Sequence, residues 1–137
     1  MSAQPVRPDA ARLAEMVETY FRGVDTRDIG LILSVLSEDC RFTVESHGDE
    51  VIGHSAIRAM FAHIWKSPGS VVHHGFTHIP DPEAGRIASQ FRVTYRLADG
   101  RVVEKSNCNV CTLAGERFGR VQVYMAGENR LKAPPVG

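Results

Sequence analysis

The chain predicts an α+β fold, with three N-terminal helices packed in the concave face of a strongly curved, mostly antiparallel sheet. Two observations carry this expectation. Apolar residues first recur at helical spacing in three stretches: Leu13, Met16, Val17, Tyr20 and Phe21; Ile29, Ile32, Leu33 and Leu36; then Ile57, Met60, Phe61, Ile64 and Trp65. After Ser70 the period becomes two, most clearly in Phe91, Val93, Tyr95 and Leu97. A sheet that must cover three helices on one face curls around them and leaves a cone-shaped cavity, a place where a small molecule can lodge.

The first helix is expected to follow Pro8 and Asp9, whose short carboxylate can accept the orphan amide hydrogens of a helix start, and to run to about Gly23. Asp25 or Thr26 is expected to cap the second helix, with Asp28 in its first turn and the apolar stripe ending near Leu36. A strand over 41–46 then reaches a turn at His47, Gly48 and Asp49. The third helix starts around His54 and Ser55 and stops before Pro68, because proline disfavours helical geometry in the residue ahead of it. Beyond lies an antiparallel meander, punctuated by Pro80-Asp81-Pro82, the Asp99-Gly100 turn and the stretch from Gly115 to Gly119.

With 137 residues and 43% hydrophobic content, the chain suits one domain over 1–137 with one core, its ends loose at about 1–8 and 132–137. Sixteen basic residues balance sixteen acidic ones, so no overall field draws the chain to nucleic acid or an anionic membrane. No apolar run approaches the roughly 20 residues of a bilayer span, and the start lacks the apolar segment of a secretory signal, so a cytoplasmic protein is expected. The odd number of cysteines (Cys40, Cys108 and Cys111) argues against a disulfide framework and suits a reducing compartment.

Several patterns hint at chemistry. Cys108 and Cys111 have the two-residue spacing of zinc and redox sites, but on a strand an odd separation sends their side chains to opposite faces. On a strand His74 and His78 share a face about 13 Å apart at roughly 3.3 Å per residue, too far to chelate one ion, while His73 points the other way. No metal and no cofactor is expected, and no nucleophile elbow or phosphate-cradling glycine loop is present. Tyr20 lies on the apolar stripe of the first helix, so its hydroxyl needs a buried partner or a cavity. Asn107, Asn109 and Cys111 share one face of a late strand. Phe91, Val93 and Tyr95 should face inward and Arg92, Thr94 and Arg96 outward. For the last strand, either Val121, Val123 and Met125 or Gln122, Tyr124 and Ala126 face the interior.

Tyr20 on the first helix, the Thr26-Arg27-Asp28 turn, Leu36-Ser37-Glu38-Asp39 before a strand, and Gly53-His54-Ser55-Ala56-Ile57-Arg58 opening the third helix together resemble the nuclear transport factor 2-like superfamily. Within it the chain resembles the group of SnoaL-like polyketide cyclases and ketosteroid isomerase. This resemblance implies a pocket for a hydrophobic small molecule and a homodimer formed through the outer face of the sheet. It also implies a cofactor-independent isomerase, cyclase or dehydratase that works on a hydrophobic carbonyl compound by general acid–base catalysis. A non-catalytic ligand-binding or dimerisation module of the same fold is the other reading.

Ketosteroid isomerase uses a carboxylate base, with a tyrosine and a protonated aspartic acid as oxyanion donors. Carried over by position, Tyr20 matches the tyrosine, Asn109 falls near the protonated acid, and the base falls at Val44, which cannot remove a proton. Glu45 should point off the opposite face. A histidine, His63 or His73 (or His74), is then the candidate base, since a neutral imidazole has the right basicity near neutral pH. The candidate catalytic residues are therefore Tyr20, Asn109, His63 and His73. The candidate ligand contacts are Leu36, Phe42, Val44, Met60, Phe61, Trp65, Phe91, Val93, Tyr95, Asn107, Cys111 and Tyr124.

Overall fold

The computed structural model describes residues 7–127. Helix α1 spans Ala10–Thr26, α2 Ile29–Ser34 and α3 His54–Ile64. Strands β1 (Leu36–Val44), β2 (Asp49–Ile52), β3 (Ser70–Asp81), β4 (Arg86–Arg96), β5 (Val102–Ala114) and β6 (Arg117–Tyr124) form one sheet in the order β2-β1-β6-β5-β4-β3. All pairs are antiparallel except β1 with β6, which makes the sheet mixed. The curved sheet holds the three helices against its inner face, as expected.

The first helix starts where the sequence says it should. Asp9 accepts a hydrogen bond from the Arg12 amide at 2.8 Å, and the buried stripe Leu13, Met16, Val17, Tyr20, Phe21 and Val24 faces the sheet. It runs one turn past the expected end at Gly23 and stops at Arg27, which takes the left-handed conformation (φ 57°) with its amide turned back to Gly23 and Val24. The continuation has a packing reason: a Cβ on Gly23 would meet Ile32 Cγ1 at 2.7 Å and the Ile32 backbone nitrogen at 2.9 Å, so glycine lets α2 close against α1. Asp25 and Thr26 therefore belong to α1, and the cap of α2 is Asp28, whose carboxylate accepts from Leu31 N at 3.2 Å. The α2 helix ends at Ser34, and Leu36 opens β1 five residues before the strand expected at Arg41. Ser37-Glu38-Asp39 looks like loop sequence because β1 is irregular there; its pairing with β6 shifts between Leu36 and Arg41. The short partner β2 was hidden by its polar Asp49 and Glu50.

The core is the inner face of the sheet against α1, α2 and α3. Ile87, Phe91 and Val93 of β4, Cys111 of β5, and Phe118, Val121 and Val123 of β6 are buried. This answers the open register of β6: Val121 and Val123 point inward, while Tyr124, paired with Cys108 on β5, is 43% exposed on the outer face. Cys108 and Cys111 stand on opposite faces, as an odd spacing on a strand requires. The expectation that His74 and His78 share a face fails. The β3–β4 register slips between His74 and Thr77 around Gly75, which sits at φ 65°. That bulge turns His78 inward with His73 and leaves His74 outside, bonded to Thr94 Oγ1 at 2.8 Å. Of the expected loose ends, 1–6 and 132–137 lie outside the described residues, whereas the Arg7 guanidinium donates to the Glu83 carbonyl at 3.2 Å.

Candidate functional site

A cavity of about 260 Å³ opens between α1, α3 and the inner faces of β3, β4, β5 and β6. All four candidate catalytic side chains, Tyr20, His63, His73 and Asn109, border it. So do Phe61, Trp65, Phe91, Tyr95 and Asn107 from the expected ligand contacts.

The other expected contacts lie elsewhere. Leu36, Phe42, Val44, Val93 and Cys111 are in the solid part of the core, and Met60 packs on its margin. At the β1 end of the cone Phe61 of α3 packs edge-on against Phe42 (ring centroids 6.3 Å apart). Tyr124 points to the outer face. Glu45 is also outside, held by Thr43 Oγ1 at 2.6 Å and Gln122 Nε2 at 3.1 Å, which with burial opposing and Arg120 nearby lowers its carboxyl below the usual range.

The polar centre of the cavity is a pair that the sequence reading did not assemble. His73 Nδ1 lies 2.6 Å from Asp25 Oδ1, and Asp25 Oδ2 accepts the His73 backbone amide at 2.8 Å. Both side chains are largely shielded, at 11% and 19% exposure. A carboxylate only accepts, so Nδ1 must carry the proton, and the neutral ring then presents the Nε2 lone pair. The ring is wedged among apolar neighbours, with Phe21 at 4.5 Å and Phe91 at 5.5 Å between centroids. Asp25 escaped notice because it was read as a cap for α2. The signal was present: it follows Phe21 by four positions, which places a carboxylate at the end of the buried stripe.

Two further polar groups face the hollow without partners among the described residues. Tyr20 is 5% exposed, edge-on to Phe21 at 4.8 Å, and its hydroxyl makes no hydrogen bond to the described residues. Burial, then the nearby Cys111, Cys40 and Asp25, raise its pKa well above the usual tyrosine value, so it stays a hydrogen-bond donor. Asn109 is 2% exposed, and its Oδ1 is buried with no partner among the described residues. An unmet buried acceptor costs about 1–3 kcal/mol. Asn107, by contrast, is engaged, its Oδ1 accepting the Ala126 amide at 2.9 Å and holding the chain just beyond β6.

The mouth is shaped by the α3–β3 loop. The Arg27 guanidinium donates to the carbonyls of Trp65 at 2.7 Å, Gly69 at 2.9 Å and Ser67 at 3.4 Å, and Trp65, Ser67, Pro68 and Gly69 all border the cavity. Beyond the cavity, His78 joins Ser89 Oγ at 2.8 Å and Glu18 at 3.1 Å, but Ser89 is 1% exposed and does not border this cavity, so this serine–histidine–carboxylate set is structural. Among the described residues no group of three or more His, Cys, Asp or Glu side chains is placed to hold a metal, and no helix is long and apolar enough to cross a membrane.

Comparison with known proteins places this geometry in a family. No sequence among the curated proteins matches the chain. Among solved structures, it is similar to a candidate polyketide cyclase from Xanthomonas campestris pv. campestris (TM-score 0.75, 17% identity, 83% of this chain and 90% of the other). It is similar also to TerC co-crystallised with polyporic acid (TM-score 0.68, 18% identity, 82% and 89%). A third is a Catenulispora acidiphila protein with a ketosteroid isomerase-like fold in complex with trimethylamine (TM-score 0.70, 11% identity, 80% and 84%). At these identities the likeness is one of fold, the cone-shaped NTF2-like fold. The model of the SnoaL-like domain matches residues 17–121, and with three quarters of its length inside that match the chain belongs to the SnoaL-like domain family.

Proposed function

We propose that this SnoaL-like domain binds a hydrophobic carbonyl compound in its cone and moves a proton on it, without a cofactor, as an isomerase, cyclase or dehydratase. The observation that carries the reading is the Asp25–His73 pair, a base with its tautomer fixed and its free nitrogen at an aromatic-walled cavity. His73 Nε2 takes a proton from the carbon beside the carbonyl, and the C–H electron pair moves through the new C=C bond onto oxygen. The Tyr20 hydroxyl and the Asn109 amide N–H are the donors for that oxyanion, and both stay protonated without any special tuning. Return of the proton to another carbon gives an isomer; departure of a β-hydroxyl as water gives a dehydrated product; attack of the carbanion on a second carbonyl closes a ring. His63, from the last turn of α3, is a second base at the same cavity.

A binding-only module remains the competing reading, and one observation favours it: Val44, where the resemblance puts a base, is buried in the core. For either reading a homodimer through the outer sheet face is proposed, since that face carries exposed Val72, Ile79 and Tyr124. Sedimentation of the purified chain tests the dimer.

The test of catalysis is solvent deuterium exchange. A panel of hydrophobic ketones in D2O should include at least one whose α-hydrogens exchange faster with the protein, and His73→Gln should abolish that excess. Exchange no faster than in buffer across the panel, or exchange unchanged in His73→Gln and in Tyr20→Phe, overturns the enzymatic reading.

A further inference from the structure

Resting on the reading of this cavity as a ligand site, we propose that its ligand is an uncharged compound of one or two rings that carries a hydroxyl group, seated against Asn109. Three features lead there. The cavity, about 260 Å³, lies just under the roughly 300–1,000 Å³ of ordinary small-molecule pockets, which favours a compact ligand over a fused four-ring skeleton. Its walls are the rings of Phe21, Phe61, Trp65 and Phe91, so the enclosed body is flat and apolar. Of the charged side chains at its border, Asp25 is tied to His73, Arg27 holds three backbone carbonyls, and Arg96 is exposed to water. An ionised ligand group inside would lose its water and meet no buried counter-charge, since Arg27 and Arg96 are both exposed.

The hydroxyl follows from Asn109. Its amide lies at the inner face of β5, opposite Ser89 and Val123, with Oδ1 buried and unpartnered. A ligand that brought only acceptors would leave that oxygen unmet. A hydroxyl donates to it, and, if the amide is turned over, accepts from the nitrogen instead, so the inference survives either orientation of the amide.

Calorimetric titration with matched pairs tests this by binding alone, independent of turnover. The pairs are 4-hydroxyacetophenone with 4-methoxyacetophenone, 6-hydroxy-1-tetralone with its methyl ether, and oestrone with its methyl ether; 4-acetylbenzoate supplies the charged arm. Affinity should rise from one ring to two and gain nothing at four, the hydroxyl member should be favoured about tenfold in the first two pairs, and the benzoate should bind weakest. In Asn109→Leu the hydroxyl preference should disappear, whereas a preference caused by the bulk of the methyl group would persist. Oestrone binding tenfold tighter than the tetralone, no hydroxyl preference in the wild-type chain, a preference kept in Asn109→Leu, or tight benzoate binding each overturns the proposal. The wild-type series needs no variant to fold. Binding in this pattern without deuterium exchange would reject catalysis while leaving the ligand class in place.

Discussion

Asp25 and His73, 48 positions apart in the chain, meet twice: carboxylate to ring at 2.6 Å and carboxylate to backbone amide at 2.8 Å. The second contact fixes where the carboxylate sits, and the first then fixes which ring nitrogen carries hydrogen. A helix end and a strand are thereby joined at a histidine that borders the cavity.

Asp25→Asn separates these two tasks. The amide oxygen can still accept the His73 N–H, but its NH2 then faces Nδ1 and forces the proton onto Nε2, removing the lone pair from the cavity. The exchange reaction should fall by at least about 100-fold, as loss of a general base does, while ligand affinity changes by less than about threefold. Parallel calorimetry and deuterium-exchange rates read the two effects separately.

Arg27 supports a prediction about access. Arg27→Gln removes donors to three carbonyls of the α3–β3 loop. Each such bond contributes about 0.5–1.5 kcal/mol. Amide hydrogen exchange over 65–70 should accelerate, and bound ligand should leave faster, with the rest of the sheet unaffected. Equal exchange rates in the two proteins would show that the loop is held by its own packing.

Alkaline pH should unfold the protein early. Burial, with Asp39 adding to it, pushes the Cys40 thiol from 9.0 up to about 12, and burial raises Cys111 and Tyr20 well above their ordinary values. The folded chain therefore keeps protons that the unfolded chain releases, so stability is complete below about pH 9 and declines as pH rises toward 12. Unfolding free energies from urea melts at pH 7.5 and 10.5 should differ by about 1–2 kcal/mol for each such group. Replacing Cys40 with Ala should shrink the difference.

Gly23→Ala probes the seam between α1 and α2. The added methyl would meet Ile32 Cγ1 at 2.7 Å and two backbone atoms at 2.9 and 3.0 Å. Backbone cannot step aside as a side-chain tip can, so a loss of about 1–3 kcal/mol is expected in a denaturant melt. A neutral result would mean that α2 shifts freely.

Local patterning made the architecture legible, because α1, α3 and the later strands bury one face each and that burial writes a period into the chain. What stayed hidden depended on irregularity or on distance. The bulge at Gly75 reverses the faces of everything after it on β3, so alternation placed His78 on the wrong side. Strand β1 begins with Ser37, Glu38 and Asp39, residues that alternate poorly because the pairing slips there. Asn109 could be placed in the site because its strand is regular, whereas Asp25 could not, since its partner lies in β3 and no local rule links the two.

Arg27 follows Asp25 by two residues, and between them they secure both ends of the segment from Trp65 to His73: Arg27 at its start, Asp25 at its finish. The rim of the cone is thus a strap fastened to the same helical terminus, by Arg27 from Trp65 to Gly69 and by Asp25 at His73. Insertions or substitutions around Lys66 to Pro68 would reshape the aperture while leaving the proton-handling pair where it stands. A single scaffold can in this way be retailored to new molecules by altering a handful of rim positions.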